Sequence, residues 1–256
     1  MVTVTLLEKI YRVYSAKTFE SMFKNMCKGL NVKLRVLNCA PRGWIRIELS
    51  GEDEKVALNF LEREIGLAPV HRENIKQGDV IRGRVTTSKS KLKLHVDIGV
   101  YEPELTDATI HLRHLQAQLA DGKKLALQTI VEFYGLYTNF PLEVKIWKPK
   151  AEMETINAVL SEGQILTFNR WLKQGLERLI ILGATIEEAE YAVKKLGLLR
   201  DVYGIESLGL LEHAIICKLG TEARGLIPKL GPKLPNAVLI PFSPVKIMRI
   251  IRRAEL

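Results

Sequence analysis

The sequence is short of the features that announce secretion or catalysis. Its three cysteines, Cys27, Cys39 and Cys217, are odd in number, far apart and set in apolar stretches. That excludes a disulfide framework or a zinc knuckle and suits buried thiols in a reducing compartment. Neither a Gly-x-Ser-x-Gly elbow nor a phosphate loop ending in Gly-Lys-Ser/Thr occurs. The longest apolar runs, such as 179–184, fall far short of the ~20 residues that span a bilayer. Residues 1–8 lack the basic start and apolar core of a signal peptide, so a cytoplasmic protein without a membrane partner is expected.

What the chain does carry is positive charge. Its 38 Lys and Arg outnumber 29 Asp and Glu, for a net charge of +9. Such a surplus favours a polyanionic partner by strengthening and speeding the encounter with phosphates. With 47% apolar and 26% charged residues the composition is globular, and 256 residues exceed one usual core, so two or three domains are expected.

The charge is patterned. Residues 89–98 alternate strictly, placing Lys91, Lys93, His95 and Asp97 on one strand face and Leu92, Leu94, Val96 and Ile98 on the other, with Lys89 extending the basic side. Residues 78–85 alternate too, with Ile81 and Val85 inward and Val80, Arg82 and Arg84 outward. Two neighbouring strands then present a basic sheet face, the footprint of a nucleic-acid surface.

Periodicity divides the chain into 1–70, 76–148 and 150–256. The first part reads strand, helix, strand, strand, helix, with Phe19, Met22, Phe23, Met26 and Leu30 on one helical stripe. A hairpin over 32–49 follows, and then a helix capped by Ser50 that buries Val56, Ala57, Phe60, Leu61 and Ile65. This order suits a ferredoxin-like or KH-like α+β sandwich, although the Gly-x-x-Gly clamp with which a KH domain holds RNA is missing. The second part has β-rich stretches, including 126–132 and 142–147, around a short helix at 110–119, the order of an OB barrel. In the third part a helical pattern starts at Ile156 and runs through Ile165, Phe168, Leu172, Leu176 and Leu179. Thr185 to Glu188 is a capping box for a helix ending at Gly197. A hairpin or long strand over 205–218, a glycine-rich loop around a short helix at 220–231 and closing strands at 238–240 and 245–251 complete an α+β domain.

Residues 75–85, Ile-Lys-Gln-Gly-Asp-Val-Ile-Arg-Gly-Arg-Val, followed by His95-Val-Asp-Ile-Gly99, resemble the opening of the S1-type OB fold. The resemblance implies RNA across the outer barrel face, touching Arg82, Arg84, Lys91, Lys93 and His95. No exposed Phe or Tyr is expected on the second strand, which leaves stacking to His95 or Tyr101 and predicts low sequence selectivity. Through residues 206–231 the whole chain also resembles an uncharacterised archaeal family known as a domain of unknown function. That implies an archaeal source but brings no activity.

Other chemistry is thinner. His111 and His114, three apart beside Asp107, would bind a metal only if a third ligand such as His71 converged, and no metal or cofactor is assigned. His213 reads as a hydrogen-bonded core histidine. Arg224, Lys229 and Lys233 sit in the glycine-rich loop, either a phosphate cradle or a hinge. At the C-terminal end, Lys246, Arg249 and Arg253 share a face if helical, with Arg252 beside them, and suit a phosphate backbone. The expectation is a non-enzymatic RNA-binding protein that acts on a ribosomal subunit or in RNA processing. Alternatives are a protein-interaction module on RNA polymerase or a ribosomal subunit and, behind it, a metal-dependent hydrolase.

Overall fold

The structure, a computed structural model, describes residues 1–10, 14–87, 90–148 and 156–253, with the backbone alone at 148, 252 and 253. The chain forms two compact units, Met1–Lys76 with Ile98–Asp107, and Gln77–Asp97 with Ala108–Leu256.

In the first unit, β1 (Val2–Lys9), α1 (Ala16–Met26), β2 (Val32–Val36), β3 (Trp44–Gly51) and α2 (Glu54–Glu64) follow the expected βαββα order. They build an antiparallel sheet, β1-β3-β2. Ser15 caps α1 by accepting the Thr18 N–H, and Phe19 and Phe23 are buried beneath it. The cap of α2 is Asp53 rather than Ser50, because β3 runs on to Gly51. Gly51 sits at φ +141° against the Asn31 carbonyl, where a Cβ would collide. The helix leaves Val56 exposed and Phe60 half-buried, against expectation, and buries Ala57, Leu61 and, at its end, Ile65. A short strand, β4 (Val70–His71), closes the segment.

The barrel strands are β5 (Val80–Val85), β6 (Lys93–Glu102) and β7 (Thr106–His111), then, after α3 (Leu112–Leu119) and α4 (Leu127–Tyr134), β8 (Pro141–Lys148) and β9 (Ile156–Leu160). The sheet runs β4-β6-β5-β8-β9-β7, and pairing of β7 back to β6 closes a five-stranded barrel among the described residues. Two expectations change here. Residues 126–132, read as a strand, form α4, because Leu127, Ile130 and Tyr134 recur at helical spacing and are buried together. Residues 156–160, read as the start of a helix, form β9 with alternating burial, so the fifth barrel strand comes from beyond the boundary expected at 148–150.

Helix α5 (Glu162–Gln174) is capped by Ser161 and stopped by left-handed Gly175, which frees Leu179 for β10 (Arg178–Leu182). The capping box of α6 (Ile186–Lys195) forms as expected. The remaining elements are β11 (Val202–Ser207), β12 (Glu212–Cys217), α7 (Ala223–Leu230), β13 (Val238–Phe242) and α8 (Pro244–Arg253). An antiparallel sheet, β11-β12-β10-β13, packs its Leu179, Ile181 and Ile215 against α6, through Ala189 and Val193, and α7, through Leu226. Residues 245–251 are helical rather than a closing strand. Pro244 presets the first turn, and Ile247 and Ile251, four apart, are both buried.

Aromatic rings join barrel and C-terminal sheet inside this second unit. Tyr134 lies 5.0 Å from Phe168, Phe168 5.9 Å from Trp171, and Trp171 5.2 Å from Phe242. No helix among the described residues is long and apolar enough to cross a membrane. Cys27 and Cys217 are buried, and burial pushes the Cys217 thiol up to about 11, while Cys39, expected inside, is exposed.

Candidate nucleic-acid interface

The basic ladder is real but shorter than its alternation. The Ser90 hydroxyl accepts from the Leu92 and Lys93 N–H groups at 3.2 and 3.1 Å, a turn that delays β6 until Lys93 and leaves Leu92 exposed. Lys91 is exposed, and Lys93 and His95 are half-buried. Lys89 lies outside the described residues.

The outward face of β5 is covered at one end. Arg82 stays exposed, but Arg84, two residues on, is 1% exposed, and its Nη2 lies 3.0 Å from Oε2 of fully buried Glu212 on β12. Its cross-strand neighbour Asp97 is buried as well. The expectation that Arg84 and Asp97 face solvent is therefore corrected: the loop between β11 and β12 closes over that end of the strand. Gly209 in that loop permits the approach, since a Cβ there would strike Glu212 Oε2. Arg82 instead lines a cleft of about 280 Å³ with Glu143, Arg170 and Glu206. Arg170 pairs with Glu206, which also accepts from the Trp171 indole at 3.1 Å.

At the other end of the ladder the fold assembles a group that the sequence reading missed. Trp147, on β8, is 51% exposed, and its ring lies 5.5 Å from that of His114 on α3. His111, at the end of β7, feels Lys93 and Arg113, and the N–H of Leu112 donates to the Leu92 carbonyl at 2.8 Å, holding the two strand ends together. Burial first, then Lys93 and Arg113 beside His111 and Arg113 beside His114, hold both histidines below their ordinary range. At neutral pH they are uncharged rings in a cationic setting. The signal for Trp147 was in the sequence: along β8, Leu142, Val144 and Ile146 are buried while Glu143, Lys145 and Trp147 share the other face. A tryptophan in phase with charged residues lies on the strand's outer side.

The remaining expected residues do not join this surface. The Tyr101 hydroxyl is hydrogen-bonded to that of Thr5 at 3.0 Å. His71 faces Glu102, with Nδ1 3.4 Å from Oε2. Among the described residues no three His, Cys, Asp or Glu side chains are placed to hold a metal. Arg224, Lys229 and Lys233 are exposed on and just after α7, and Lys246 and Arg249 on α8. Arg224 and Lys246 share a depression with Glu132, Glu177 and Glu222, carboxylates that offset their charge. The side chains of Arg252 and Arg253 lie outside the described part.

Residues 3–70 match the DUF2110 N-terminal domain and residues 176–240 the DUF2110 C-terminal domain. No curated protein is detectably similar to the chain. Among solved structures it is similar to a chain in the "Crystal structure of a/eIF2alpha-aDim2p-rRNA complex from Pyrococcus horikoshii OT3", at 13% identity and a TM-score of 0.26, over 50% of this chain and 70% of that one. A likeness that slight has no bearing on function.

Proposed function

The chain belongs to the DUF2110 family of domains of unknown function, and for it we propose RNA binding through the barrel surface where the Trp147 ring packs at a tilt against His114 beside Arg113, with His111 and Lys93 adjoining. The observation that carries this reading is the half-exposed Trp147 ring against His114, with Arg113 close to both histidines and Lys93 close to His111. A base stacked on an aromatic ring gains about 1–3 kcal/mol, and flanking cations add a salt-dependent attraction for phosphate. Neither term reads base edges, so the binding is tolerant of sequence. The protein acts by holding RNA rather than by turning it over, in a ribosomal or RNA-processing setting.

Intrinsic fluorescence tests this directly, because Trp44 and Trp171 are buried and Trp147 is the solvent-facing indole. RNA titrated at low salt should quench it. Trp147→Ala should abolish the quench and weaken binding about tenfold. Unchanged affinity in that variant would remove this surface from the reading.

A second reading rests on the apolar side chains Leu199, Tyr203 and Leu219, exposed around Lys218, whose Nζ donates to the Leu199 carbonyl at 3.0 Å. Such a patch suits a protein partner. Capture of partners from native lysate with and without ribonuclease separates the two, since a protein contact survives the digestion.

A further inference from the structure

Helix α4 and the barrel enclose a recess of about 470 Å³, within the roughly 300–1,000 Å³ typical of small-ligand sites. Leu94, Leu127, Val131 and Leu136 give it apolar walls, and the Gln128 amide and Thr138 hydroxyl supply polar edges. Lys91 and Lys93 stand on its lining too, whereas no carboxylate among the described residues does. The recess exists because α4 stops at Gly135, in the left-handed conformation at φ +68°, with Ile180 so close that a Cβ would crowd it. The chain then turns back, the Asn139 N–H donating to the Val85 carbonyl at 2.8 Å, and Tyr137 becomes part of the wall, 38% exposed. Burial and nearby Glu132 push the Tyr137 hydroxyl up from its ordinary range, so it stays a neutral donor with a ring to stack on.

Each component suits one part of a nucleotide. Apolar walls and a phenol ring accept a flat heterocycle, a few amide and hydroxyl groups meet its edge, and two lysines, on a described lining that holds no carboxylate, meet phosphate. A base paired in a duplex cannot enter such a recess, because it is stacked between its neighbours; a base of an unpaired strand can be splayed into it. We infer that the recess between α4 and the barrel takes one nucleobase of an unpaired RNA strand, the strand's phosphates lying against Lys91 and Lys93. The inference rests on the RNA reading above and adds what that reading leaves open, that the RNA must be single-stranded where it meets this part of the barrel.

The test titrates the full-length protein with a single-stranded oligoribonucleotide carrying one 2-aminopurine, with the same oligonucleotide annealed to its complement, and with a nucleoside monophosphate. The single strand should bind at least tenfold tighter than either of the others, with a change in 2-aminopurine emission. Tyr137→Ala, at a partly exposed position, and Val131→Trp, which fills the recess, should each weaken single-strand binding about tenfold and abolish the emission change. Their log–log salt slope should match the parent's, since neither removes a phosphate contact. Lys91→Glu with Lys93→Glu should shallow that slope. If the lysine pair matters and both recess variants bind as the parent does, the recess proposal is wrong and the RNA reading stands. Duplex bound as tightly as single strand, or the monophosphate as tightly as the oligonucleotide, also overturns it. If no RNA binds the parent at low salt, both readings fall together.

Discussion

Arg82 and Arg84 point to the same side of one strand and meet opposite surroundings. Arg82 keeps its guanidinium in an open cleft, while Arg84 is sealed against Glu212. Removing one partner of a buried ion pair strands the other charge and costs about 3–5 kcal/mol, whereas exchanging both for apolar groups of similar volume is often near neutral. Arg84→Met is therefore expected to lower the urea-unfolding free energy by about 3–5 kcal/mol, and Arg84→Met combined with Glu212→Leu to recover most of it. A single Arg84→Met as stable as the parent would mean the pair contributes nothing. The alternation of β5 put both arginines on one face and stopped there, since a two-residue period says which side of a strand a residue occupies and nothing about what covers that side. The half-exposed Trp147 followed the same rule and was legible, whereas its partner His114 comes from a helix 33 positions earlier in the chain and was not.

Among the elements, those with strong local chemistry were the legible ones. The Thr185–Glu188 capping box, left-handed Gly197 and the hairpin β11–β12 all form where the sequence places them. Stretches 126–132 and 156–160 inverted, because short apolar runs satisfy either period and the neighbours decide. Some caps come from afar. The Glu177 carboxylate accepts from the Ala223 N–H at the start of α7, at 2.7 Å, and from the hydroxyl of Ser243, before α8, at 2.6 Å. One side chain thus holds the entrances of two helices, with the favourable sign for a carboxylate at a helix N-terminus. Glu177→Ala should cost about 1–2 kcal/mol in denaturant unfolding, more than a single cap usually does, and Glu177→Gln should recover part of it. Equal stability of Glu177→Ala and the parent would show that these bonds merely replace water.

For the molecule as a whole, helix α8 does more for cohesion than for charge. Ile247 and Ile251 are buried, and burying an isoleucine is worth about 1.5–3 kcal/mol, so a chain ending at Phe242 should lose about 3–6 kcal/mol of stability. Arg249→Ala with Arg252→Ala and Arg253→Ala removes three charges from a net +9. That variant should keep the parent's melting temperature, and a drop as large as the truncation's would mean the arginines themselves hold the helix. The sequence by itself determined the α+β class, the βαββα opening, most of the barrel strands and the sign of the charge, because these follow from local periodicity, capping chemistry and composition. Only the tertiary structure decided that β9 completes the barrel, that Arg84 is sealed while Lys91 stays free to meet solvent, that His114 meets Trp147, and that α4 walls a recess. Each of those depends on which distant segment packs against a given face, and burial and proximity between residues far apart in the chain are set by the packing of the whole core rather than by any local pattern.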